Sequence, residues 1–142
     1  MQQTAKGFSL IELLIVVAII AIVTTVATSS YRNYMMRTNR TDGASLLLRV
    51  AAAQERYYLN ENAYAGPDDV TDLGFESLTS ERGYYALTIE PADPGGLVVG
   101  YSATVRPIDG RGQQSDADCM ILSINERGFR GSNPEPINVC WR

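Results

Sequence analysis

The sequence predicts an α+β protein: one long N-terminal helix, apolar in its first half, laid by its second half across an antiparallel sheet. Three observations predict it. Residues Phe8 to Ala27 form an apolar run broken by one acid, Glu12, and Leu13 to Val23 is apolar without a break. Apolar residues then recur at three- and four-residue spacing as far as Leu59. Beyond Gly83, short β-branched and aromatic segments alternate with glycine- and proline-rich turns, the pattern of strands.

The apolar half comes first. At about 1.5 Å per residue, a helix from Phe8 to Ser30 is roughly 34 Å long, enough to cross a hydrocarbon core. The remaining chain is too polar for a bilayer, so one end belongs in lipid and the other in water. A carboxylate at membrane depth costs about 2.5–3.5 kcal/mol on insertion scales and usually marks function. Glu12 lies four residues after Phe8. A cut between Gly7 and Phe8 would place a positive amine one helical turn from that acid, on the same or a neighbouring chain.

The run Lys6-Gly7-Phe8-Ser9-Leu10-Ile11-Glu12-Leu13, followed by apolar residues, closely resembles the class III signal of type IV pilins and their relatives. The resemblance implies that a prepilin peptidase cuts after Gly7 and methylates the new N-terminal Phe8, and that Glu12 is the assembly carboxylate. Residues 1–7 are then a leader, 8–30 a transmembrane and filament-core helix, and 31–142 a headgroup in the periplasm or outside the cell. Three plainer readings compete. A secretory signal would use Leu13 to Val23 as its apolar region and Thr25-Val26-Ala27 as its cleavage site, but it leaves Glu12 and a single-lysine start unexplained. A plain single-pass anchor has no use for Glu12. A core helix of a soluble domain would need more chain to hide it. The positive-inside count points the other way, with Lys6 and the initiator amine on one side against Arg32, Arg37 and Arg40 on the other. The processing motif outweighs that bias and sets the N-terminus in the cytoplasm, with one pass through the bacterial inner membrane before assembly.

The helix is expected to continue to about Leu59. Ala44, Leu47, Leu48, Ala51, Glu55, Tyr58 and Leu59 follow helical spacing, and Leu46, Val50, Ala53 and Tyr57 widen the apolar face. Arg37, Arg40, Asp42, Arg49 and Arg56 read as solvated positions. Gly43 costs about 1 kcal/mol against alanine in a helix interior, which tertiary contacts can override. Type IV pilins commonly carry glycine where Ala21 stands and proline where Ser29 stands. Here the β-branched and hydroxyl residues of 22–29 lower helix propensity only modestly, so a helix without the proline kink is expected.

Residues 60–83 read as a long loop, with Leu73, Phe75 and Leu78 tucked onto the core. Tyr84 to Glu90 is the first strand, with Tyr85, Leu87 and Ile89 on one face. Pro91 to Gly96 is a turn. Val98 to Arg106 and Cys119 to Ile124 are further strands, separated by a polar loop at 109–114. Asn125 to Gly128 turns the chain into a short fourth strand near Phe129 and Arg130. Short turns between consecutive strands make a meander, and the amphipathic half-helix is the element long enough to cover it. Cys119 and Cys140 are the only cysteines. In an exported domain they are expected to form a disulfide, worth about 3 kcal/mol for a loop of this size. Ala53 to Tyr58, Gly83-Tyr84-Tyr85, Asp118-Cys119 and the terminal Cys140-Trp141 resemble the PilE-like minor pilins, whose cysteine-bounded segment is the D-region, a surface loop that meets partners. The resemblance therefore implies the pilin fold over the whole chain.

The composition argues against catalysis. There is no histidine, so neither a serine triad nor a cysteine nucleophile has its imidazole, and no phosphate-binding glycine motif occurs. No cofactor is expected. Asp109, Asp116 and Asp118 could ligate calcium, but the spacing of a calcium loop is absent and a solvated acidic loop is the preferred reading. A calcium-stabilised loop would instead suggest a type II secretion pseudopilin. The formal charge is −4. Arg82, Arg106, Arg111, Arg127, Arg130 and Arg142 invite a nucleic-acid reading, since some PilE-like relatives are DNA-uptake receptors. Residues 76–142 nevertheless hold 6 arginines against 9 acids, and phosphate binding needs local cation density. Scattered solubilising charge is preferred. Of the pairs Tyr57-Tyr58 and Tyr84-Tyr85, one member each is expected in the core.

The expected function is that of a structural subunit of a type IV pilus, minor rather than major, serving assembly, twitching motility and adhesion. Its expected partners are other pilin subunits, the prepilin peptidase, the inner-membrane assembly platform and a tip adhesin, with the membrane but not nucleic acid. A major pilin, a DNA-uptake receptor and a pseudopilin are the alternatives.

Overall fold

The computed structural model describes residues 7–141. Lys6 and the rest of the expected leader before Gly7, and Arg142, lie outside the described residues. The chain divides into two units, Met1–Met35 and Met36–Arg142. A single helix, α1, runs Leu10–Glu61 through both. It starts two residues later and ends two residues later than the periodicity suggests, and it is unbroken at Ala21 and Ser29.

In the first unit every described side chain from Gly7 to Tyr34 is exposed. Three threonines of this segment are accommodated within the helix. The Thr24 hydroxyl donates to the Ile20 carbonyl at 2.6 Å, Thr25 to Ala21 and Ile22 at 3.0 and 2.7 Å, and Thr28 to Thr24 and Thr25 at 2.9 and 3.1 Å. Each hydroxyl is therefore satisfied without water, as a lipid-exposed helix requires.

In the second unit α1 presents Leu46, Leu47, Val50 and Ala53 to the sheet, all buried. The stripe is narrower and rotated relative to the expected face: Leu48 and Leu59 are exposed, and the residues read as widening the face form its centre. Buried Gln54 extends the stripe. Its side chain donates to the Ala65 carbonyl and accepts from the Ala65 N–H, both at 2.8 Å, and so fixes the chain just after the helix. Asn62 ends α1 in the left-handed region at φ 56°, a conformation asparagine tolerates.

The sheet is an antiparallel meander in the order β1 (Tyr85–Ala92), β2 (Gly96–Pro107), β3 (Cys119–Asn125) and β4 (Arg130–Pro134). Tyr85, Leu87 and Ile89 face the helix as expected, joined by Tyr101, Ala103, Val105, Leu122 and Ile124. The valine, leucine and isoleucine side chains among them each contribute about 1.5–3 kcal/mol by leaving water. The expected turn is shorter than read, because β1 continues through Pro91 and Ala92. The fourth strand begins at Arg130 and runs beyond the expected Phe129-Arg130 site. A short helix, α2 (Ile137–Cys140), was not foreseen.

Residues 62–84 are more ordered than a loop. Ala65, Val70, Leu73 and Ser80 are buried, and Pro67–Asp69 makes one 3-10 turn. Leu78, expected in the core, is exposed; it contributes its carbonyl, which accepts from the Leu87 N–H at 2.7 Å. The Ser80 N–H donates to the Tyr85 carbonyl, and the Ser80 hydroxyl accepts from the N–H groups of Tyr84 and Tyr85. This segment covers the free edge of β1, which would otherwise offer unpaired backbone to another chain.

Gly43 has a local reason. A Cβ there would lie 3.0–3.2 Å from three ring atoms of Tyr85, so the glycine lets the buried ring rest directly on the helix backbone. Gly43→Ala gains about 1 kcal/mol of helix propensity and loses about 1–3 kcal/mol to overpacking. We expect a lower melting temperature for that variant in thermal denaturation of the full chain in detergent. Burial, first of all, raises the phenol pKa of both Tyr85 and Tyr101 well above the ordinary value of 10.0. The unfolded phenols ionise near 10 while the folded ones stay neutral, so the unfolded state binds fewer protons at high pH. Stability is therefore whole below about pH 10 and falls above it. The Tyr101 hydroxyl is buried without a hydrogen-bond partner. Tyr101→Phe should keep stability at neutral pH and shrink the loss between pH 10 and 12 in pH-dependent melts.

Candidate functional site

Two sets of residues draw attention, one at each end of the chain. At the N-terminus, Ser9 accepts the N–H groups of Glu12 and Leu13 on its carbonyl, at 3.1 and 3.2 Å, and so starts the helix. Phe8 and Glu12 fall one turn apart on the same side and line a shallow hollow with Leu13 and Val16. Phe8 is 86% exposed. The Glu12 carboxylate has no hydrogen-bond or ion-pair partner among the described residues. The helix N-terminus favours an acid in its first turn, but apolar side chains surround this one.

The second set is a buried polar clamp. The Arg40 guanidinium meets the Asp116 carboxylate in a two-pronged pair, Nε and Nη2 each 2.6 Å from an oxygen. The two side chains are 7% and 2% exposed. Arg40 Nη1 also donates to the Val139 carbonyl at 3.3 Å, and Asp118 lies 3.8 Å from Nη2. The hydrogen bonds that Arg40 donates to Asp116 are the main reason its pKa rises further. Gln113 completes the clamp. Its Nε2 lies 3.0 Å from each of the Met36 carbonyl, the Tyr85 hydroxyl and Asp116, and its two N–H bonds are shared among these three. Helix α1, strand β1, the β2–β3 connection and the C-terminal segment are thus tied at one point.

Here the structure corrects the sequence reading. Arg40 and Asp42 were assigned to the solvated face of α1, and both are buried. Arg40 is neutralised by Asp116, and the Asp42 carboxylate accepts the Arg82 N–H at 3.2 Å, closing the turn before β1. The detectable signal was position: Arg40 stands three residues before Gly43 and seven before Leu47, on the buried stripe. Asp116 is likewise no part of a solvated acidic loop. Both its oxygens are taken by Arg40, and Asp109 accepts from Gln114. Among the described residues no group of acids, cysteines or histidines could hold a metal ion.

Cys119 and Cys140 are joined, with Cα atoms 5.6 Å apart, and both are buried. The segment between them is more structured than a surface loop, because it contains β3, β4 and α2. Its end is pinned where the Trp141 indole N–H donates to the Gly131 carbonyl at 2.8 Å and the Arg130 guanidinium lies 5.0 Å from the indole ring. Of the tyrosine pairs, Tyr85 is core and Tyr84 half-buried, whereas Tyr57 and Tyr58 are both half-buried.

These features have counterparts in known proteins. A family profile for the prokaryotic N-terminal methylation motif matches residues 3–28. A second, for the type IV minor pilin ComP, DNA uptake sequence receptor, matches residues 29–123. The chain belongs to the type IV pilin family. A fimbrial protein of Neisseria meningitidis serogroup A is 36% identical over 90 residues, which are 63% of this chain and 52% of that protein. The type IV major fimbrial protein FimA of Dichelobacter nodosus is 34% identical over 112 residues, 70% of this chain and 67% of that protein. The chain therefore spans about half the length of the Neisseria relative. The structure of a type IV pilin from Shewanella oneidensis superposes with a TM-score of 0.52 at 23% identity, covering 75% of this chain and 98% of that one. That likeness concerns the pilin fold: long N-terminal helix, four-stranded antiparallel sheet and C-terminal disulfide. The family is structural, not a family of enzymes.

Removing one member of the clamp strands the other charge in a dry site, at a cost of about 3–5 kcal/mol. Asp116→Ala should therefore lower the melting temperature of this pilin strongly. Arg40→Met combined with Asp116→Leu should recover much of the loss, because an apolar pair of similar volume often replaces a buried ion pair without penalty. Denaturation of the single and double variants checks this; simple additivity would contradict the coupling.

Proposed function

We propose that this pilin is a minor structural subunit of a type IV pilus. In this reading prepilin peptidase removes residues 1–7 and methylates Phe8, and α1 holds the subunit as a single pass in the bacterial inner membrane. The assembly platform then passes it into the filament, where it serves twitching motility and adhesion and can carry a tip adhesin. The observation that carries the proposal is the Glu12 carboxylate, without a partner among the described residues and set beside Leu13 and Val16, one turn from Phe8. In hydrocarbon such a charge needs a counter-charge. Cleavage after Gly7 creates one, a methylated amine at the same depth in the membrane. A newly arriving subunit can lower its energy by pairing Glu12 with the amine of a neighbour, and its apolar helix exchanges lipid for other helices.

The profile over residues 29–123 is named for a minor pilin and supports that role, while the FimA relative is a major one. The same profile, named for a DNA uptake sequence receptor, favours a second reading. Arg82, Arg106 and Arg111 are exposed near one end of the β1–β2 hairpin, a more local grouping than scattered charge. Retardation of double-stranded DNA at low salt, lost in Arg106→Ser with Arg111→Ser, would support a receptor; no retardation would remove it.

Glu12→Ala should leave the headgroup folded and its disulfide intact. Its incorporation into sheared filaments, read by immunoblot, should fall by about tenfold or more, the factor that corresponds to 1.4 kcal/mol. The unaltered chain should appear at low copy relative to the main shaft protein. Normal incorporation of the variant would contradict the pairing.

A further inference from the structure

The headgroup has two chemically opposite ends. Gly43 of α1 touches Tyr85 at the start of β1. Further along, Tyr58 stacks on Tyr64 at 4.6 Å, and Tyr64 leans on Tyr101, which pairs with Pro91 near the end of β1. The end of α1, the tip of the β1–β2 hairpin and the β3–β4 turn therefore share one end. Tyr64 N–H donates to the Leu97 carbonyl at 2.8 Å, and the Glu126 carboxyl lies 2.8 Å from where a Cβ on Gly100 would stand.

This end exposes Leu59, Val98, Val99 and Phe129 by 81, 67, 59 and 67%. Large apolar side chains left exposed at one end suit an interaction surface. It is also acidic. Residues 55–72, 90–99 and 125–129 hold eight carboxylates and two arginines, and one of those, Arg127, is already paired with Glu126 at 3.2 Å. The field is felt locally: the Tyr57 phenol pKa is raised by burial and then by Asp69, Glu61 and Asp72.

The opposite end carries the complement. Arg82, Arg106 and Arg111 are exposed. Arg106 pairs across the strands with Ala86, Arg82 lies over Tyr84 at 5.2 Å, and the Arg111 guanidinium approaches Gly83. None of the three guanidiniums has a carboxylate partner among the described residues. Half-buried Tyr84, Pro107 and Ile108 lie among them.

We propose that the acidic, apolar end of one headgroup docks on the arginine end of a second copy of this chain. The apolar residues of the hairpin tip would meet Tyr84, Pro107 and Ile108, and the surrounding carboxylates would meet the three guanidiniums, which set orientation and partner choice. Because the two ends differ, the contact is heterologous. The inference rests on the filament-subunit reading.

The test places a photoreactive benzoylphenylalanine at position 99 of the full chain in producing cells and maps cross-linked peptides from membranes and sheared filaments. The expected product joins position 99 to a peptide containing Arg82 or residues 106–111 of a second copy. Arg106→Glu with Arg111→Glu should cut its yield by roughly an order of magnitude, and adding Glu90→Arg with Asp93→Arg should restore it. That restoration separates a docking effect from misfolding. Cross-links only to another protein, to nucleic acid or to another surface of the second copy would overturn the proposal, as would their absence. Filament content is read separately by immunoblot. A chain present in filaments without this cross-link overturns the docking and keeps the subunit reading; a chain missing from filaments overturns the subunit reading, and the membrane cross-link alone then decides the docking.

Discussion

An apolar helical surface that stands exposed among the described residues is the constraint from which the rest follows. From Phe8 to Val26 every large aliphatic or aromatic side chain is exposed. Water penalises such a surface by about 25 cal/mol per Å², so it must lie in lipid or against other helices. Threonine hydroxyls folded back onto carbonyls make either setting tolerable at residues 24–28. Glu12 is the exception, and in the proposed reading its cost within hydrocarbon is what drives the subunit from lipid to a filament that offers a counter-charge.

The headgroup solves a different problem: fastening a small sheet to the second half of the same helix. Direct contact between the Tyr85 ring and the backbone at Gly43 brings the sheet close, and the Arg40–Asp116 pair ties the β2–β3 connection to the helix nearby. The disulfide and Trp141 hold the C-terminal segment over β3 and β4. A surface that must meet other subunits gains from rigidity of this kind, since ordering costs at association are then already met.

Much of this was legible in the amino-acid order. The apolar run, the alternation of Tyr85, Leu87 and Ile89 and the turn-rich spacing of the strands are local patterns, and the structure reproduces them. The misread residues owe their burial to distant partners. Arg40 is buried only because Asp116, 76 residues away, neutralises it, and charge alone reads as solvated. Leu78 looks like a core residue, yet it serves through its carbonyl, because backbone pairing at the edge of β1 leaves no sequence trace. Gly43 looked like a tolerated weakness and is a contact point, a fact that only the position of Tyr85 reveals. Leu59 reads as part of the helical stripe but falls with Leu48 on the exposed side of the helix, because the buried stripe is rotated relative to the expected face.

The account turns on whether the apolar helix stays with the headgroup and begins at Phe8. Intact-mass and N-terminal fragment analysis of the native chain, recovered from membranes and from filaments, measures this directly. The account predicts a first residue of Phe8 carrying one methyl group on its amine in both fractions. A mature chain that begins after Ala27, without the helix that carries Glu12, would contradict it.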